Sequence, residues 1–137
     1  MKGDKTKLLR GDGADPEVFV EVAEILEVGD ITISRETYDD TTFDSPDGYE
    51  EVGGGKKKVD PIDLKVKYKK DATTAALLRA DIDSDEPVNY QIHWPDVPPT
   101  KKQIKALVTK IVMSTPQYEN VTETFTFTPS GKIIPVA

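Results

Sequence analysis

The sequence predicts a mainly β protein, a β-sandwich or barrel of roughly seven to eight antiparallel strands flanked by one α-helix at about residues 72–81. Three observations carry this. Ile62-Asp-Leu-Lys-Val-Lys-Tyr-Lys69 places apolar residues at even positions and charges at odd ones, the period of a strand with one buried face. Threonine and phenylalanine alternate towards the C-terminus, in Val121-Thr-Glu-Thr-Phe-Thr-Phe-Thr128. Convincing helix formers gather in a single place, between Ala72 and Asp81.

Residues 1–17 balance four basic against four acidic side chains and read as a flexible N-terminal arm, leaving 18–137 as one β-rich domain. From Phe19 to Val28, Glu21, Glu24 and Glu27 lie three apart, as on the wet side of a helix. The β-branched content and the Gly29-Asp30 break before Ile31-Thr-Ile33 favour a bent strand. Residues 34–60 form a long loop carrying Ser45-Pro-Asp-Gly48 and Gly53-Gly-Gly55. An irregular stretch of that length in a small domain tends to be functional.

After the 62–69 strand, Asp71 suits a helix N-cap, Ala75, Ala76, Leu77 and Leu78 supply helix propensity, and Asp81-Ile-Asp-Ser-Asp-Glu-Pro87 ends the element. Val88-Asn-Tyr-Gln-Ile-His-Trp94 alternates as a strand. Ile104 to Ser114 opens with helix formers, but Leu107-Val-Thr-Lys-Ile-Val-Met113 prefers a strand, and strand is the reading taken. Pro129-Ser-Gly131 signals a turn, which makes Lys132-Ile-Ile-Pro-Val136 the hairpin partner of 121–128. Pro135 cannot donate a ladder hydrogen bond and belongs at an edge.

A length of 137 residues suits a single domain. Hydrophobic residues make up 36% and charged ones 31%, a polar balance for a monomeric core and a natural one for a subunit that completes its burial against neighbours. Cysteine is absent, so disulfides and thiolate metal sites are excluded. No stretch approaches the ~20 apolar residues of a membrane helix. The opening residues lack the apolar core of a secretory signal, so the chain is expected to be used without export. Net charge is 18 − 25 = −7, with eleven acids and only Arg35 as a base between 18 and 51. A tight nucleic-acid binder needs the reverse, a basic face that displaces counterions from phosphates.

Catalytic and ligand motifs are weak. His93, the one histidine, sits on a strand beside Trp94, where packing is the ordinary role. No serine lies in a Gly-x-Ser-x-Gly elbow. Asp39 to Asp47 and Asp81-x-Asp83-x-Asp85 offer oxygen ligands without the spacing of a calcium loop. Gly53-Gly-Gly-Lys-Lys-Lys58 lacks the closing Gly-Lys-Ser/Thr of a phosphate loop, and Arg10-Gly11-Asp12 is a tripeptide of the kind that recurs by chance. Neither an enzyme, a cofactor nor a bound metal is expected.

Ser34-Arg-Glu-Thr-Tyr-Asp-Asp-Thr-Thr-Phe-Asp44, followed by Asp47-Gly-Tyr-Glu-Glu51 and Gly53–Gly55, resembles the long loop of tail tube (major tail) proteins of long-tailed, non-contractile bacteriophages. The alternating strand, the Ala-Leu-Leu helix and Tyr90-Gln-Ile-His-Trp-Pro95 follow in that family's order, so the resemblance spans roughly 18–133. It implies a structural virion protein made in the host cytoplasm. Its copies would form hexameric rings stacked into a tube, with tape measure, terminator and tail-tip proteins as partners. Double-stranded DNA would pass through the lumen without tight binding. It also implies a subunit interface on the long loop, at Arg35, Glu36, Asp39, Asp40, Thr41, Thr42, Phe43, Tyr49, Gly53, Gly54 and Gly55. The competing readings are a β-sandwich binding or adhesin module, with Tyr90 and Trp94 as its aromatic platform, and a related tail terminator or secretion-system tube protein.

Overall fold

The computed structural model describes residues 6–14, 16–22, 25–68, 73–95 and 100–136. Among them are ten strands and one α-helix. The strands are β1 (Lys7–Gly11), β2 (Phe19–Glu21), β3 (Ile25–Val28), β4 (Ile33–Asp39), β5 (Val52–Val59), β6 (Ile62–Lys67), β7 (Val88–Trp94), β8 (Thr100–Ser114), β9 (Thr122–Pro129) and β10 (Ile134–Val136), and the helix is α1 (Thr73–Asp81). One sheet runs β2-β1-β7-β8-β9-β6-β3 with β10 beside β8, antiparallel throughout, and β4 and β5 pair separately. The large sheet curls until β3 approaches β1.

Alternation builds the core. Ile62, Leu64 and Val66 of β6 face inward, as do Phe125 and Phe127 of β9, with Leu64 opposite Phe125 and Ile62 opposite Phe127. Tyr90 and Ile92 of β7 and Ile104, Ala106 and Val108 of β8 complete the same cluster. The Tyr90 and Phe127 rings meet at 4.7 Å between centroids, tilted by 58°, a favoured aromatic geometry. Leu78 and Ala75 of α1 are buried as well. Asp71, expected as the N-cap of α1, lies outside the described residues.

Two part-buried ionic links, each with a buried carboxylate, tie the helix to the sheet. Asp81, at the end of α1, accepts from Arg10 Nε at 2.7 Å and Nη2 at 2.6 Å, and from the Tyr90 hydroxyl at 2.8 Å. Burial, reinforced by that acceptor, pushes the Tyr90 hydroxyl well above its usual range. Arg79 grips Glu123, which is 1% exposed, and lies over the Tyr68 ring at 5.1 Å.

Four expectations change. The flexible arm over 1–17 gives way, at residues 7–11, to a strand inside the sheet: Leu8 is buried and Arg10 is held by Asp81. The bent strand over 19–28 becomes two strands with different partners, β2 on β1 and β3 on β6, while the Val22 N–H donates to Leu8 O at 2.8 Å. The loop over 34–60 contains a β-hairpin. Finally, β10 pairs with β8 and not with 121–128. Both edges of β9 are taken, by β8 and β6, and the fifteen-residue β8 runs past the end of β9 at Ala106, leaving Lys101 to Gln103 free to receive β10. Pro135 accordingly sits on a strand with one partner.

Candidate assembly interface

The eleven residues singled out from the sequence fall on one structure, the β4–β5 hairpin. Arg35, Glu36 and Asp39 lie on β4, Asp40 to Phe43 and Tyr49 in the connection, and Gly53 to Gly55 on β5. Every residue of β4 is exposed. The hairpin pairs with itself and with no strand of the large sheet. A lone two-stranded ribbon is marginal in water, so this one is suited to gaining further contacts from another surface.

Its glycines serve close approach. The Tyr38 ring lies against Gly53 and the Arg35 guanidinium against Gly54, so that a Cβ at either glycine would overlap them. Arg35 Nε also donates to Gly55 O at 3.3 Å. The register shifts by a bulge between Arg35 and Thr37, which adds local twist.

The connection is ordered by its own polar groups. Glu51 N–H donates to the Thr41 hydroxyl at 2.8 Å, Asp40 N–H to Glu51 O at 2.9 Å, and Thr42 N–H to Ser45 Oγ at 3.0 Å. Thr41, through its hydroxyl and then its N–H, holds the Asp39 carboxyl below the ordinary carboxylate range. Asp47 occupies the left-handed region at φ 54° within a single 3-10 turn, Pro46–Gly48, a conformation aspartate tolerates better than most residues. The tip thus presents six acids and no base between residues 39 and 51. Phe43 is wholly exposed and Tyr49 nearly three-quarters so, at 73%.

At the other end of the hairpin lies a groove of about 740 Å³. Ile33, Val59, Pro61, Pro129 and Ile133 line it, and Lys57, Lys58 and Lys132 stand around it. Sequence reading missed these residues. The Lys56–Lys58 run stands out in the sequence, but nothing local brings it to Ile133. A further open feature is β8, which beyond Ala106 has β9 on one edge and no described strand on the other; Val112 and Met113 are exposed there.

The remaining candidates fall away from any site. Tyr90 is buried and Trp94 packs against the core, so together they form no exposed aromatic platform. His93 Nε2 donates to Gln91 Oε1 at 3.0 Å, and burial, then Lys101 and Lys7, push the imidazole below its usual pKa. Among the described residues no group of three or more acids and histidines could hold a metal ion.

A family model described as "Lambda phage tail tube protein, TTP" matches residues 10–134. No curated protein matches the chain in sequence. Among solved structures, the chain resembles one from the virion of a native gene transfer agent particle, at 20% identity and TM-score 0.77, over 100% of this chain and 99% of that one. A second, from the tail of an empty gene transfer agent particle refined with C6 symmetry, gives 22% identity and TM-score 0.73, over 95% and 96%. The tail tube of SPP1 gives 10% identity and TM-score 0.70, over 98% of this chain and 78% of that one.

Proposed function

Because the chain belongs to the lambda phage tail tube protein family, we propose that its copies join in hexameric rings and that the rings stack into the hollow tail through which DNA leaves the virion. The role is structural. The observation that carries the assembly is the β4–β5 hairpin, a ribbon with all of β4 exposed and with exposed Phe43 and Tyr49 at its tip. The C6 symmetry of the gene transfer agent tail supports six subunits to a ring. The edge of β8 beyond Ala106, which no described strand covers, supports sheet continuation between neighbours, which removes an edge that would otherwise aggregate. A net charge of −7 suits a conduit, since an anionic wall repels phosphates that would otherwise bind along its whole length. Tape measure, terminator and tail-tip proteins are the partners such a tube requires.

Negative-stain microscopy of the purified protein over a concentration series tests this. Six-fold rings and tubes are the expected result, and a chain that stays monomeric at millimolar concentration refutes it.

A further inference from the structure

We propose that the tip of each hairpin seats in the lysine-flanked groove at the base of the same hairpin in the next copy. This rests on the tube reading above and names the contact that joins successive subunits.

The two surfaces match in chemistry. The tip carries an exposed phenylalanine and an exposed tyrosine among six acids. The groove is apolar, with Ile33, Val59, Pro61, Pro129 and Ile133 below and Lys57, Lys58 and Lys132 beside them. Lys58 already has an acid near it, Asp60 at 3.8 Å, so Lys57 and Lys132 are the principal cations. A groove of about 740 Å³ has room for an aromatic side chain. Aromatic anchors in apolar pockets with charges at the rim are the usual anatomy of a specific contact, the charges setting register and excluding wrong partners.

Geometry makes the contact propagate. Ile33 pairs with Val59 at the groove end and Asp39 with Val52 at the tip end, so donor and acceptor lie at opposite ends of one ribbon. A copy engaged at the tip is displaced by at least the ribbon's length, roughly 7 × 3.4 ≈ 24 Å. The contact joins unlike surfaces, and such heterologous contacts repeat without limit unless a rotation closes them. A step of that length along the ribbon fits stacking between rings. It also couples successive steps. The groove is built partly from the hairpin's own stem, at Ile33, Lys57, Lys58 and Val59. Seating a tip therefore holds the stem that carries the acceptor's own tip, readying it for the next subunit.

A charge-exchange experiment decides it. The tip variant carries Asp44→Lys and Glu50→Lys; Asp47 is spared because of its positive φ. The groove variant carries Lys57→Glu and Lys132→Glu. At 0.15 M salt each alone is expected to raise the concentration needed for tube formation by about tenfold, with rings still visible. All four changes in one chain, or a mixture of the two variants, should return it to within about threefold of the original. If wild-type protein makes tubes and each variant matches it, or if neither the combined chain nor the mixture recovers, the tip–groove contact is wrong while the tube reading stands. If wild-type protein makes no tubes, the tube reading itself fails. Circular dichroism confirms that each variant is folded, and the mixture supplies a test that needs no four-fold variant.

Discussion

Replacing Leu8 with alanine separates a flexible arm from a strand of the core by a measurable margin. Leu8 is 1% exposed and pairs with Ile92, itself fully buried. Its carbonyl accepts the Val22 N–H, so the backbone has little freedom to collapse into the space the side chain leaves. Deleting three carbons removes about 2.4 kcal/mol of burial at 0.8 per methylene, and a residual cavity raises the loss to about 3 kcal/mol. With a urea dependence of about 1.5 kcal/mol per molar, the unfolding midpoint falls by about 2 M. The assay is urea unfolding followed by circular dichroism, in dilute solution so that assembly does not add apparent stability. Leu9→Ala is the internal control, because its side chain points to the opposite face and is only half-buried; its midpoint should move by less than half as much. A Leu8→Ala shift below about 0.3 M, or equal shifts for both variants, refutes the placement of residues 7–11 in the sheet.

Three further outcomes are expected. Arg79→Met strands Glu123 as a buried carboxylate and should lower stability by about 3–5 kcal/mol in thermal or urea unfolding, with Glu123→Gln added to it recovering part of the loss. Gly29→Ala would place a Cβ 2.8 Å from Asp63 O, where the Gly29 N–H now donates at 2.6 Å, and should cost about 1–3 kcal/mol in the same assay. Burial first, then Lys101 and Lys7, lower the His93 pKa against the opposing pull of Glu21, so on acidification the unfolded chain takes up this proton first. Stability should therefore decline as pH falls through about 6.5, and His93→Gln should flatten that part of the profile in unfolding measured from pH 7.5 to 5.

Much of the fold was legible because the strands that build the core alternate. Val88 to Trp94 is observed with the expected bounds, and β6 and β9 depart from expectation by one or two residues. Residues 104–114 needed the β-branched half to outweigh Lys105 and Ala106, and those two lie in a strand whose other neighbours decide its conformation. The failures share a physical cause: long-range partners leave no local period. Leu8 and Arg10 belong to a five-residue strand, too short to show alternation, and Arg10 is fixed by an aspartate 71 residues away. The hairpin hid for the opposite reason, since with all of β4 exposed no apolar–polar contrast marks it as a strand. The residues named for the interface did converge on that hairpin. The groove at its base combines Ile33, Lys57 to Val59 and Pro61 with Thr128, Pro129 and Gly131 to Ile133, a combination that only the tertiary fold creates.

The position of β1 bears on how the protein comes into being. Lys7 sits opposite His93, and Arg10 opposite Tyr90, so this segment waits for a neighbour some eighty residues downstream. Pairings of such span are slow to form, because chain closure must precede any gain from contact. A nascent subunit consequently lacks the strand that joins β1 to β8 until β7 has been made, and its sheet closes only when β9 has come between β8 and β6.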